Sequence, residues 1–164
     1  MRGRAQVFRL KQRLDATFNR APSSGADIEL QADFAKYLAV LVSGFLENAI
    51  IALVLDFAQR RSAPEVTLYV ERQLDYWTNP NCERIGQLLG AFSPDWLRKA
   101  EGFLIDERKA AVNSLVALRH KIAHGEPVGT SLAQVQQYYR QVNEVVAFIA
   151  DLTDPPAAPP VSNP

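Results

Sequence analysis

Residues 38–55 read LAVLVSGFLENAIIALVL, a stretch interrupted by few polar side chains, among them Glu47 and Asn48. A helix that is apolar nearly all round is typical of one packed against several neighbours. A membrane span is the alternative interpretation, but a charge near the middle of a span costs about 2.5–3.5 kcal/mol on insertion scales. The stretch therefore predicts a long buried helix over about residues 27–60, without association with a membrane.

The remaining chain shows helical periodicity, with proline and glycine between the apolar runs and almost no strand-like alternation. A first helix is expected over residues 2–19, before the breaker APSSG. The Asn79-Pro80-Asn81 segment is expected to form a turn. The other helices are expected at residues 64–77, 82–91, from Pro94 onward, 106–123, and from Ser131 onward. The predicted fold class is all-α, a helical bundle built on a long central helix.

Three segments are expected along the 164 residues: a basic N-terminal helix and turn at 1–26, the bundle at 27–152, and a Pro-rich tail at 153–164. The tail is expected to be disordered, because it lacks apolar mass and has many prolines without backbone donors. The lone cysteine, Cys82, excludes an internal disulfide and suits a buried position in a cytoplasmic protein. Residues 1–13 mix charged and apolar side chains, unlike a secretory signal.

The net charge of zero, from 18 basic and 18 acidic residues, argues against a large nucleic-acid footprint. Any contact with RNA must therefore be local. The first helix is locally basic, so Arg9, Lys11 and Arg13 are candidates for weak RNA contacts. A solvated helix face with no role in binding explains the same residues.

Both histidines of the chain, His120 and His124, lie in one short window beside Arg119. Histidine exchanges protons near neutral pH, and arginine donates two parallel hydrogen bonds to a phosphate. RNA can be cleaved without metal by such a set, with a base, an acid and a cation around one phosphate. On an ideal helix Arg119 and His124 are about 140° apart. A homodimer that joins two copies of the window would supply the full set.

Two other interpretations of this window stay open from the residues. In the structural one, His124 interacts with the carbonyl end of its helix and Arg119 pairs with a carboxylate, leaving no cleft. In the metal one, His120 and His124 have the i, i+4 spacing of zinc-binding helices. However, Lys121 stands where a metalloprotease requires glutamate, and the chain has no third histidine. We therefore expect no metal and no cofactor.

Residues 118–125, LRHKIAHG, resemble the signature of the HEPN superfamily (higher eukaryotes and prokaryotes nucleotide-binding). That signature is an arginine followed shortly by a histidine, commonly with a polar residue directly after the arginine. Residues 37–47, YLAVLVSGFLE, are similar to the central helix of the RiboL-PSP-type branch, in which a small or hydroxyl residue precedes a glutamate. The resemblance covers roughly residues 30–150.

The resemblance implies a bundle that dimerises through its motif helices and a metal-independent endoribonuclease that acts in defence, toxin-antitoxin systems or RNA processing. By the same resemblance, Arg119 and His124 match the catalytic pair and His120 the accessory polar position. Glu47 and Ser43 match orienting positions on the central helix, and in the structural interpretation Glu47 instead forms a buried salt bridge with Arg119. Lys121, from its charge and position, is a further weak RNA contact.

An alternative within the same fold is a catalytically silent module that binds RNA or nucleotide, or mediates assembly. An antitoxin or other neutralising partner is also implied. In one toxin branch the partner acts on a tyrosine two places after the histidine, where this chain has Glu126. That departure argues against control by modification of a tyrosine there.

Overall fold

The computed structural model describes residues 2–156, and within that range the chain folds into helices without any strand. The all-α fold class is thus confirmed. The helices are α1 (Arg2–Phe18), α2 (Ile28–Arg61), α3 (Pro64–Leu74), α4 (Cys82–Phe92), α5 (Pro94–Phe103), α6 (Asp106–Ala123) and α7 (Leu132–Thr153).

Helix α2 is the centre of the bundle and is contacted by α1, α3, α6 and α7. Its 34 residues extend over about 51 Å at 1.5 Å per residue. Asp27 caps its first turn by accepting a hydrogen bond from the backbone N–H of Glu29 at 2.7 Å. By length and composition α2 could cross a membrane, and most of its apolar window is buried inside the bundle. The buried side chains of α2 include Leu38, Val42, Leu46, Ile50 and Val54.

Helix α1 is packed into the same core rather than projecting from it. Gly3 lies so close to α2 that a Cβ at this position would meet the Ala52 carbonyl oxygen at 2.9 Å. At its other end, Phe18 stacks on Tyr139 of α7 with ring centroids 4.7 Å apart. Hydrogen bonds and aromatic packing therefore join the first and last helices. The division of the chain at residue 26 stays a prediction.

Asp15 connects α1 to α7. Its carboxylate accepts a hydrogen bond from the Tyr139 hydroxyl at 2.7 Å and pairs with the Lys11 ammonium at 2.7 Å. Burial opposes the charge on Asp15, but the hydrogen bonds from Lys11 and Tyr139 outweigh it and lower the pKa of this carboxyl below its ordinary 3.8. The same contact, together with burial, raises the pKa of the Tyr139 hydroxyl.

Replacing Asp15 by asparagine is expected to lower the Tm at pH 7 by about 2–4 °C, because a charge-assisted contact between α1 and α7 is lost. A carboxyl with a lowered pKa stabilises the fold above the pKa of the unfolded chain and ceases to do so as the pH falls through the folded value. The difference in Tm between wild type and Asp15→Asn should therefore shrink below about pH 4, as measured by thermal melts from pH 7 to pH 3.

Asp33→Asn is the matched control for that series. Asp33 forms a 3.7 Å pair with Lys36, and its side chain is 75% exposed, so its removal should hardly change the Tm. Equal shifts for the two variants would contradict the stabilising role of the contact between Asp15 and Tyr139.

Helix α6 ends in a Schellman motif. Gly125 has φ +68°, a left-handed conformation that glycine adopts without strain. The backbone N–H of Gly125 donates to the Ile122 carbonyl at 3.1 Å, and that of Glu126 donates to the Lys121 carbonyl at 3.0 Å. The stop expected at this glycine is confirmed, and His124 is the C-cap residue of the helix.

Some local expectations differ from the structure. Helix α3 was expected to reach Trp77, but it ends at Leu74 and continues as a turn in which the Trp77 N–H donates to the Leu74 carbonyl. Ser93 occupies the N-cap of α5 without a side-chain hydrogen bond, whereas Ser131 accepts one from the Gln134 N–H. Cys82 is buried as expected, and burial raises the pKa of its thiol to about 11. Most of the predicted tail, residues 157–164, lies outside the described residues.

Candidate functional site

The last turns of α6 present the motif residues at the surface. His120, Lys121 and His124 are exposed, and Arg119 is half-buried. The imidazole rings of His120 and His124 lie with their centroids 4.3 Å apart at an interplanar angle of 57°. The i, i+4 spacing puts both rings on one side of the helix, so a single phosphate group could be approached by either.

Arg119 is held by the turn between α3 and α4. Its Nη1 donates a hydrogen bond to the Asn79 side-chain oxygen at 3.0 Å. Asn79 has φ +54°, an uncommon conformation that asparagine tolerates better than most residues. Such unusual backbone geometry is often retained at functional sites. A turn residue thus limits where the guanidinium can point.

Glu47 of the central helix holds that turn in place. Its Oε2 accepts hydrogen bonds from the Thr78 hydroxyl at 2.9 Å and from the Asn79 backbone N–H at 3.1 Å. Within residues 2–156, Glu47 and Arg119 form no ion pair with each other. Glu47 therefore acts on Arg119 through Asn79, and the direct pair of the structural interpretation is not formed.

Sequence reasoning identified Glu47 but missed Thr78 and Asn79 as part of the site. The Asn79-Pro80-Asn81 segment indicated only a turn. Nothing in that local pattern shows that the turn packs beside the end of α6, since the hydrogen bond to Arg119 joins residues 40 positions apart.

Two cavities flank the end of α6. The larger, a groove of about 1240 Å³ between α4, α5 and α6, is lined by His120, Lys121 and Asn79 among others. The smaller, about 430 Å³, lies between α1, α2 and α6. We call it the α1–α2 pocket, and Arg119, Arg13, Glu47 and Ser43 are among the residues that line it. Arg119 and His120 therefore face different cavities, and His124 lines neither.

The candidate RNA contacts of α1 are not equivalent. Arg9 is exposed and lies outside both cavities, Lys11 is paired with Asp15, and Arg13 lines the α1–α2 pocket. On α6, Lys121 is exposed at the rim of the larger groove. Among these cations, Arg13 is the one that shares a cavity with Arg119.

The chemistry available at this site is acid, base and cation chemistry. Across residues 2–156, no group of three or more histidine, cysteine or acidic side chains is arranged to hold a metal ion. The two imidazoles could transfer protons, and the guanidinium could stabilise an anion. Such a set suits reaction at a phosphate.

Comparison with known protein families shows to which family this chain is related. The RiboL-PSP-HEPN family model matches residues 6–154, from the first helix to the end of the last one. The chain belongs to the RiboL-PSP-HEPN family. No match was found among curated proteins or among solved structures.

Membership of the RiboL-PSP-HEPN family confirms the resemblance found in the sequence and supports a nucleotide-binding or RNase-like module. The match includes the central helix, the Asn79 turn and the whole Arg119–His124 window. The arginine and the histidines of the window thus lie within the part of this HEPN domain that the family model matches.

Proposed function

We propose that this HEPN protein is a metal-independent endoribonuclease with a composite site formed by two copies of the chain. The observation that carries the proposal is the exposed His120–His124 pair, with ring centroids 4.3 Å apart, next in sequence to an arginine that is held through Asn79 by the central helix.

The reaction is an attack of a ribose 2′-hydroxyl on the adjacent phosphate. The His124 imidazole accepts the hydroxyl proton as the O2′–P bond forms, and a water molecule protonates O5′ as the P–O5′ bond breaks. Arg119 stabilises the extra negative charge on the crowded phosphorane. The products are a 2′,3′-cyclic phosphate, which water can open to a 3′-phosphate, and a 5′-hydroxyl end.

The directions of the motif side chains support a dimer. In one chain Arg119 faces the α1–α2 pocket, while His120 faces the larger groove on the other side of α6. A phosphate bound at Arg119 is therefore best reached by the His124 ring of a second copy, placed across a two-fold axis that brings the two α6 ends together. His120 would keep its accessory role by contacting the His124 ring of its own chain.

The setting of this activity is part of the same proposal. We expect it to act on cytoplasmic RNA in defence, toxin-antitoxin or RNA-processing systems. A toxin-like role would require an antitoxin or other neutralising partner. Because Glu126 stands two places after His124, that partner would act other than by modifying a tyrosine there.

The test is incubation of the wild-type protein with a mixed pool of single-stranded RNA in excess EDTA. Cleavage is expected at the same rate with and without the chelator, leaving cyclic phosphate or 3′-phosphate ends identified by mass spectrometry. A rate lost in EDTA and restored by a divalent ion would contradict the metal-independent mechanism. RNA that is bound but never cleaved would indicate the catalytically silent binding module instead.

A further inference from the structure

We infer that the α1–α2 pocket binds one nucleotide of the RNA chain beside the scissile bond, with its phosphate shared between Arg13 and Arg119. The inference rests on the proposed function and assigns a substrate position to it. Arg13 would then be a specific RNA contact, distinct from the general basic character of α1.

The size and charge of the pocket suit such a ligand. Its volume of about 430 Å³ falls in the range of small-molecule sites, and Arg13 and Arg119 are both among the residues that line it. The acidic side chain in the lining is Glu47, and its Oε2 already accepts two hydrogen bonds from the Asn79 turn. Two permanent cations against one partly engaged carboxylate favour an anion, and arginine is well matched to phosphate.

The larger groove has the opposite balance of basic and acidic side chains. Its lining contains Lys109 and Lys121 but three glutamates, namely Glu83, Glu101 and Glu126. An RNA backbone entering this groove would approach more carboxylates than ammonium groups, which repels phosphates. The RNA strand should therefore leave the reacting phosphate toward α1 rather than toward α4 and α5.

The lining of the pocket also includes apolar and aromatic residues. Tyr37 lines the pocket with 51% of its surface exposed, and Phe34 meets its ring edge-on with centroids 5.7 Å apart. Leu41 and Phe45 continue this surface. An exposed aromatic ring beside a phosphate-binding arginine is the combination on which single-stranded nucleic acids stack a base.

Arg9 makes the inference testable against the simpler explanation of a diffuse basic helix. Arg9 and Arg13 are exposed arginines on the same helix, but Arg13 lines the pocket and Arg9 does not. RNA binding by diffuse electrostatic attraction would depend on Arg9 and Arg13 almost equally. Binding of a nucleotide in the pocket would depend on Arg13 and not on Arg9.

The experiment measures the affinity of wild type, Arg13→Ala and Arg9→Ala for a fluorescent single-stranded 2′-O-methyl RNA octamer of mixed sequence over a series of salt concentrations. Arg13→Ala should weaken binding about tenfold and reduce the log–log salt slope by about 0.7, the value for one phosphate contact to a single strand. Arg9→Ala should remain within about twofold of wild type. Tyr37→Ala should weaken binding while Tyr37→Phe retains it.

Equal losses for Arg9→Ala and Arg13→Ala would overturn the inference, as would a larger loss for Lys109→Ala in the acidic groove. Competition by free nucleoside monophosphates at the affinity of the octamer would overturn the assignment to an RNA chain. Because the octamer lacks the attacking hydroxyl, these results do not depend on cleavage, so a failure of the nuclease proposal would remain distinguishable. Thermal melts confirm that each variant is folded.

Discussion

Replacing His124 by alanine is expected to abolish RNA cleavage, with a loss of at least about a hundredfold in the single-turnover rate. In the proposed reaction this imidazole transfers a proton at the phosphate held by Arg119. The fold should be unaffected, because His124 is exposed and the end of α6 is closed by backbone hydrogen bonds from Gly125 and Glu126. Rates on a defined RNA are compared with thermal melts and with the oligomeric state by light scattering.

Lys121→Ala is the matched control, since Lys121 is exposed on the same turn as His124 but carries no imidazole. The Lys121→Ala variant should keep most of the wild-type cleavage rate. His124→Ala cleaving as fast as wild type would remove this residue from the mechanism.

Mixing two inactive proteins tests the composite site more directly. A mixed dimer of His124→Ala and Arg119→Ala chains retains one intact arginine and one intact histidine, on different chains. Partial recovery of cleavage is expected if a site combines Arg119 of one copy with His124 of the other. No recovery, with mixed dimers demonstrated, would contradict the shared site.

Arg119→Ala is expected to reduce cleavage by about a hundredfold to a thousandfold, the effect of removing a principal donor to a developing anion. The structure adds a second variant with a smaller expected effect. Asn79→Gly removes the side-chain oxygen that holds Nη1 but accepts φ +54° without strain. Its kcat should fall about tenfold while KM changes little, because the guanidinium is still present but less well positioned.

Asn81→Ser is the control for this positioning role. Asn81 lies in the same turn, but its side chain caps α4 by accepting a hydrogen bond from the Arg84 N–H, a task that serine can also perform. Cleavage by Asn81→Ser should therefore remain close to wild type, and all three variants should melt like wild type. If Asn79→Gly and Asn81→Ser were equally impaired, the hydrogen bond to Arg119 would not be what positions the guanidinium.

The helices of this protein could be predicted because the chain separates them clearly. Prolines and glycines fall between apolar runs, and the Gly125 stop is a local device that needs no distant contact. Helix α3 was predicted too long, since its apolar pattern continues to Trp77. In the structure, Leu74 is the last helical residue, and the Thr78 hydroxyl in the turn that follows donates a hydrogen bond to the Glu47 carboxylate.

The arrangement of the candidate site could be predicted from the sequence less well than the helices. The types of residue were evident from the window at 119–124, but their directions depend on what packs beside α6. Arg119 points toward Asn79 and the α1–α2 pocket through contacts with chain segments far away in sequence. The different positions of Arg9 and Arg13 relative to the pocket also depend on how α1 lies against α2, which periodicity does not determine.

The hydrogen bonds from Glu47 through Asn79 to Arg119 have a consequence for evolutionary divergence. These three residues lie on three separate segments of the chain, and the first two act together to position the Arg119 guanidinium. A substitution of one residue therefore lowers the selective value of the other two. In a related chain without the Asn79 oxygen, an acidic residue at the position of Glu47 would no longer act on the arginine. The identities of these three residues are therefore expected to change together among related chains.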